Sequence, residues 1–304
     1  MRNSIYLFLF SFLFFSCRFE KVKDDNEILI VATTSILADG IRNIVGDQAK
    51  VVSLMPAGVD PHLYKASVRD LDLLESADLI LYHGLYLEGK MTEIFEKLTF
   101  NKDLINVSEA IPAEFLLRSG PESHSVDPHI WFDVNLWRMA MQHASDEIIT
   151  WKPDWKNTIE SNSKNYQAKL ETLNQEVIDK TQLLNQSQLA LITAHDAFAY
   201  FGKAYQIEVK GLQGLSTLSE PGLRDLTGLI QLIIDRNIRA VFAEQTISPK
   251  AIKAVVAGCA NAGHEIQLAG PLYTDSLDSP DQPAGTYIGM VQTNLNTIFE
   301  SLMP

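Results

Sequence analysis

Residues 153–185 read PDWKNTIESNSKNYQAKLETLNQEVIDKTQLLN, and the architecture follows from them. Trp155, Ile159, Tyr166, Leu170, Leu173, Val177 and Leu184 recur mostly at three- and four-residue steps with polar residues between, the period of an amphipathic helix. Pro153 suits a first helical turn, and no Gly or Pro interrupts the run before about Asn185. At about 1.5 Å per residue the spacing predicts one helix of roughly 50 Å. Its apolar stripe fades at Asn162 and Ser163 and holds few aliphatic residues, which favours a single rigid strut over a coiled-coil strand.

On both sides of this segment the chain alternates strand-like and helix-like runs. Upstream, the strand-like stretches are 28–33, 51–55, 78–82 and 104–107. Between them fall helical patterns through Ile36, Leu37, Ile41 and Ile44, through Val68, Leu71 and Leu74, and through Met91, Ile94, Phe95 and Leu98. Downstream, 189–193, 240–243 and 265–269 read as strands. The helices there are marked by Phe198, Phe201 and Tyr205, by Leu223 to Ile233, by 249–262 and by 287–302. A βαβα rhythm implies parallel sheets flanked by helices. The expected fold class is α/β, with two lobes joined by one long rigid backbone helix. The expected divisions are 28–150 for the N-terminal lobe, 151–187 for the connecting helix and 188–304 for the C-terminal lobe.

Residues 1–16 stand apart. Arg2, an apolar run from Ile5 to Phe15 broken only by Ser11, and Ser16 before Cys17 have the form of a secretory signal peptide. The run falls short of the roughly 20 apolar residues that span a bilayer. Ser16-Cys17 resembles a bacterial lipoprotein box, with Phe14 where Leu is usual, so Cys17 is the expected lipidation site. Residues 17–27 are charged and aperiodic, a lipidated tether. Removing residues 1–16 takes one base, Arg2, from 25 and no acid from 38, leaving a net charge of −14. Such a balance argues against nucleic acid and anionic membrane surfaces as partners. Cys259 is then the remaining thiol, so neither a disulfide framework nor a thiolate zinc site is available, and its helical apolar surroundings predict a buried structural residue.

Two of the seven histidines share a local setting, Asp60-Pro61-His62-Leu63 and Asp127-Pro128-His129-Ile130. Proline fixes its own φ and holds the preceding residue extended, which stiffens the backbone entering each imidazole, as a ligand requires and a surface histidine does not. His195, in Thr193-Ala194-His195-Asp196-Ala197-Phe198, follows a strand and precedes a helix that Asp196 is placed to cap. By spacing alone Asp275 is no better a candidate than Asp278 or Asp281.

Gly58-Val59-Asp60-Pro61-His62, Asp127-Pro128-His129-Ile130-Trp131, Thr193 to Phe198, Tyr273-Thr274-Asp275-Ser276 and Gly285-Thr286-Tyr287-Ile288-Gly289-Met290 stand in the order seen in manganese/zinc solute-binding proteins of ABC importers, the TroA-like metal-binding family. The chain resembles that family over residues 28–304, with the strut between the second and third motifs. The resemblance implies a metal site in the interlobe cleft, with His62, His129, His195 and Asp275 as ligands, two from each lobe. It implies one Zn²⁺ or Mn²⁺ ion as transported cargo, delivered to a membrane permease coupled to a cytoplasmic ATPase, and a monomer held by its N-terminal lipid on the periplasmic or outer cell surface. For some relatives a cell-adhesion role is inferred. Three imidazoles and a carboxylate suit Zn²⁺, and Mn²⁺ tolerates them with a further oxygen. Four protein donors leave no position for substrate, unlike catalytic zinc sites. Asp60, Asp127, Asp196 and Glu244 are candidates for fixing the imidazole tautomers. The alternative is an exported zinc-dependent hydrolase with Asp275 or Glu244 as base.

Three further signals add no ligand to this set. Gly84 to Lys90 has the spacing of a phosphate-binding loop, but Met91 replaces the metal-binding hydroxyl and Glu88 would repel phosphate. His83, His143 and His264 are expected to be structural or exposed. His124 is alone in the short loop 119–126, where many zinc-specific relatives carry a histidine-rich insertion, and this weakens a zinc-only assignment.

Overall fold

In the computed structural model, residues 27–118, 125–184 and 190–303 are described. The signal peptide, Cys17, His124 and the 187/188 boundary lie outside them. The first lobe contains β1 (Leu29–Ala32), α1 (Ser35–Val45), β2 (Lys50–Ser53), α2 (Val68–Ser76), β3 (Leu79–Tyr82), α3 (Thr92–Leu98) and β4 (Asp103–Asn106). Two long helices follow, α4 (Val134–Trp151) and α5 (Lys156–Gln182). The second lobe contains β5 (Ala190–His195), α6 (Ala199–Tyr205), β6 (Glu208–Gln213), α7 (Leu223–Asp235), β7 (Ala240–Glu244), α8 (Lys250–Asn261), β8 (Gln267–Leu272) and α9 (Tyr287–Leu302).

Among the described residues the strands form two parallel sheets with the same topology, β2-β1-β3-β4 and β6-β5-β7-β8. Inner strands covered on both faces read as continuous apolar runs, as LIVA in β1 and LILY in β3 do. In each sheet the chain reverses its winding beside the first strand, which opens a crevice at the carboxyl ends of β1 and β3 and of β5 and β7. The signals missed in the sequence were α4 and β6. The sequence of β6, EVKGLQ, lies at a sheet edge, and its Gly211 is required because a Cβ there would come within 2.5 Å of Asp196 N. Asp196 does not cap α6, whose N-cap is Phe198 without a side-chain bond.

The strut is shorter than the periodicity predicts and is not solitary. A 3₁₀ turn at Pro153–Trp155 precedes the 27 residues of α5, about 40 Å of α-helix. Against the first lobe it runs antiparallel to α4, with Ser145 Oγ donating to Ser163 Oγ at 3.0 Å and Asn162 donating to the Ile44 carbonyl of α1 at 3.0 Å. The polar gap in its stripe is therefore a seam where small hydrogen-bonding side chains let helices approach. Its second half meets the other lobe, where Asn174 accepts from Tyr205 of α6 and Glu176 from Gln292 of α9. One apolar cluster runs without a break from Ile30 and Ile41 through Trp137, Tyr166 and Leu170 to Phe198, Tyr287 and Leu302. The lobes thus share a core, and separate clusters fill only their outer faces. Cys259 is buried in the outer cluster of the second lobe, a structural residue as expected. Among the described residues no helix is long and apolar enough to cross a membrane.

Leu170 sits at the middle of the strut with no exposure. Leu170→Ala is expected to cost about 2–5 kcal/mol in urea unfolding, and Asn165→Ala on the exposed face of the same helix less than about 0.5 kcal/mol. Similar small effects at both positions would contradict the shared core.

Candidate metal centre

The two Asp-Pro-His segments fold alike. Asp60 Oδ1 accepts the His62 backbone N–H at 2.8 Å, and Asp127 Oδ1 accepts that of His129 at 2.9 Å. Each carboxylate reaches over its proline to fix the residue two positions on. His62 lies in the connection after β2, and His129 immediately precedes a 3₁₀ turn, Ile130–Phe132. His195 ends β5 and Glu244 ends β7, so both sit at the crevice where the second sheet reverses its winding. Asp275 follows the end of β8.

These four side chains converge. His62 is 4%, His129 and His195 0%, and Asp275 1% exposed. His129 Nε2 lies 3.3 Å from His62 Nε2 and 3.4 Å from His195 Nε2. Asp275 directs Oδ1 to His129 Nε2 and Oδ2 to His195 Nε2, both at 3.5 Å. For metal bonds near 2.0–2.1 Å, the edge of a coordination tetrahedron is about 3.3–3.4 Å. The pairs above are close to that edge, and the four donor atoms as a set lie within 4.8 Å of one another, a group that could hold one ion.

The opposite ring nitrogens are held by carboxylates, His129 Nδ1 by Asp127 at 2.7 Å and His195 Nδ1 by Glu244 at 2.5 Å. Glu244 also accepts the His195 backbone N–H at 2.8 Å. A proton fixed on Nδ1 leaves the Nε2 lone pair facing inward. Asp60 does not reach the His62 ring. Its second oxygen accepts from Thr217 at 2.6 Å, a partner from the second lobe that no sequence signal marked. Asp196 makes no side-chain hydrogen bond to an imidazole among the described residues. Trp131, for which the sequence pattern marks no role, packs edge-on against His129 with centroids 5.2 Å apart.

Burial sets the charge states, modified by neighbours. Burial and the other imidazoles depress His62 to about 2, and burial and His195 hold His129 well below its usual value. Burial opposes protonation of His195 too, but Glu244 and Asp275 outweigh it and raise that imidazole to about 9. Burial raises Asp275 to about 7 against the pull of His195. Both Asp275 oxygens are buried without a hydrogen-bond partner. The metal-free centre therefore keeps a proton on His195 while the other two imidazoles are neutral.

The other histidines are elsewhere. His83 is buried between Trp131 and Trp137 with Nε2 2.7 Å from Thr34 Oγ1. His143 and His264 are half-buried. Glu88, in the glycine-containing loop, turns inward to accept from Thr33 and the His83 backbone, which leaves no anion cradle.

A family profile described as ZnuA, zinc-uptake complex component A periplasmic, matches residues 30–301. The chain belongs to the ZnuA family. It is 43% identical over 278 residues to the manganese-binding lipoprotein MntA of Bacillus subtilis (strain 168), covering 91% of this chain and 90% of that protein. It is 39% identical over 278 residues to the zinc-binding protein TroA of Treponema pallidum (strain Nichols), with the same coverage of 91% and 90%. The solved structure of periplasmic zinc-binding TroA from Treponema pallidum superposes with a TM-score of 0.88, covering 91% of this chain and all of that one. An iron ABC transporter substrate-binding lipoprotein, MtsA of Streptococcus pyogenes serotype M1, is 29% identical over 303 residues, 97% of this chain and 96% of that protein. The family is one of binding proteins for metal transport and not of enzymes. The hydrolase alternative has no support, and Glu244, engaged by two His195 donors, is not a free base.

Imidazole ¹⁵N NMR of the metal-stripped protein should show His195 doubly protonated at pH 8 and His62 neutral down to pH 5. Glu244→Gln removes the strongest cation-favouring partner and should bring His195 to its neutral form by pH 8. A His195 that titrates alike in both proteins would contradict the assigned electrostatics.

Proposed function

We propose that the protein is an extracytoplasmic receptor that captures one divalent transition-metal ion, Zn²⁺ or Mn²⁺, and delivers it to an ABC-type importer. The ligands in this proposal are Nε2 of His62, His129 and His195 and the carboxylate of Asp275. One observation supports it above the rest: four buried donor atoms lie within 4.8 Å of one another, with both Asp275 oxygens otherwise unpartnered. Three neutral imidazoles satisfy Zn²⁺, and the second carboxylate oxygen supplies the additional donor that Mn²⁺ favours. The names of relatives include manganese, zinc and iron binders. By the usual affinity order Zn²⁺ binds such a set more tightly than Mn²⁺, so cargo follows availability as well as preference.

In this reading 28–150 and 188–304 are the jaws, 151–187 the strut between them, and the partners a membrane permease and a cytoplasmic ATPase. Residues 1–16 direct export and Cys17 carries the lipid of a monomeric receptor. A multiply acylated cysteine suffices for stable attachment, because each buried methylene contributes about 0.8 kcal/mol. The shared core restricts opening, so release proceeds by small shifts at the cleft.

Affinities for Mn²⁺ and Zn²⁺, measured by chelator competition after stripping, should fall by at least about 100-fold in His62→Ala, His195→Ala and Asp275→Ala, more than the loss of an outer hydrogen-bond partner. Unchanged affinity in all three sinks the ligand assignment. Binding must also displace the protons on His195, raised to about 9, and Asp275, raised to about 7. Affinity is therefore expected to climb from pH 6 to pH 8, with proton release seen by titration calorimetry in buffers of different ionisation enthalpy. Heats independent of buffer would contradict this.

A further inference from the structure

Asp275 comes from the second half of the chain, yet the backbone on its far side is held by the first. The Trp131 indole N–H donates to the Thr274 carbonyl at 2.9 Å. Gly58 N–H donates to Ser276 Oγ at 2.7 Å, and Leu277 N–H donates to Ser35 Oγ at 2.9 Å. The Ser35 and Ser276 hydroxyls are 3.1 Å apart. Just upstream, Tyr273 is tied to Asn294 of α9 in both directions, at 2.9 and 2.6 Å. Thr274 is where the two holds meet: its hydroxyl lies 3.4 Å from Thr246 Oγ1 of the second lobe, and the hold of the first lobe begins at its carbonyl. No donor holds the carboxylate itself, so its direction depends on that backbone.

Trp131 is fully buried, and the Tyr287 hydroxyl donates to its carbonyl at 2.8 Å. Its ring touches the His129 imidazole while its N–H holds the peptide that carries Asp275. One side chain thus sets a nitrogen donor and the oxygen donor relative to each other.

We infer that Trp131 is a positioning residue that fastens Asp275 to the first lobe, so the four donors divide three to one. His62, His129 and Asp275 form one body, and His195, backed by Glu244, forms the other. The inference rests on the four-ligand reading and changes what release requires. Withdrawal of His195 with the ends of β5 and β7 opens the centre, while the other three donors keep their mutual geometry.

Trp131→Phe keeps an aromatic ring and removes the N–H. In the full chain, stripped and reloaded with Mn²⁺, dissociation into excess chelator should accelerate about tenfold, the scale of one lost buried hydrogen bond. The effect must vanish with its target. In an Asp275→Ala background, measured with Zn²⁺, which three imidazoles still hold, Trp131→Phe should change affinity by less than about twofold. Ser276→Ala, on the other flank of the carboxylate, should reproduce both results and replaces Trp131→Phe if that variant does not fold. Equal losses in both backgrounds, or no loss from either flanking variant, overturn the inference. If those variants are silent while Asp275→Ala is damaging, only the inference fails. If Asp275→Ala is also silent, the ligand reading fails with it.

Discussion

A carboxylate with both oxygens buried and no hydrogen-bond donor on either is costly to fold around. Breaking a buried charge pair costs about 3–5 kcal/mol, and Asp275 has only imidazole nitrogens at 3.5 Å for company. Protonation of His195 and of Asp275 itself relieves part of the cost in the metal-free protein. A divalent cation bound here, as proposed, would replace those protons and satisfy all four side chains together. The rest of the molecule keeps this arrangement buried.

Each donor is braced by a different part of the fold. The Asp-Pro-His turns fix the backbone of His62 and His129 locally. His195 and Glu244 depend on the parallel pairing of β5 with β7. Asp275 depends on lobe-to-lobe contacts. Such bracing needs lobes that keep their relation, and the strut with its unbroken apolar cluster supplies it.

How much of this was legible in the sequence varied with the physics. Buried central strands announce themselves as apolar runs, so β1, β3, β5 and β7 were found within a residue or two. The edge strand β6 was missed because packing against Asp196 requires Gly211 and solvent accepts its polar positions. The strut's period was plain, but α4 beside it was overlooked and the polar seam at Asn162 and Ser163 looked like a fading stripe. At the centre, the repeated Asp-Pro-His carried its own signal, whereas Asp275 was separable from Asp278 only through family resemblance. Thr217 and the indole of Trp131 act through contacts between distant segments, and no local pattern marks such contacts.

The most direct test is an anomalous-difference map at the absorption edge of the bound ion, from crystals of the stripped and reloaded protein. A single strong peak within about 2.0–2.2 Å of Nε2 of His62, His129 and His195 and of an Asp275 oxygen is the predicted result. A peak outside the cleft, or one that any of those four side chains fails to reach, would contradict the account.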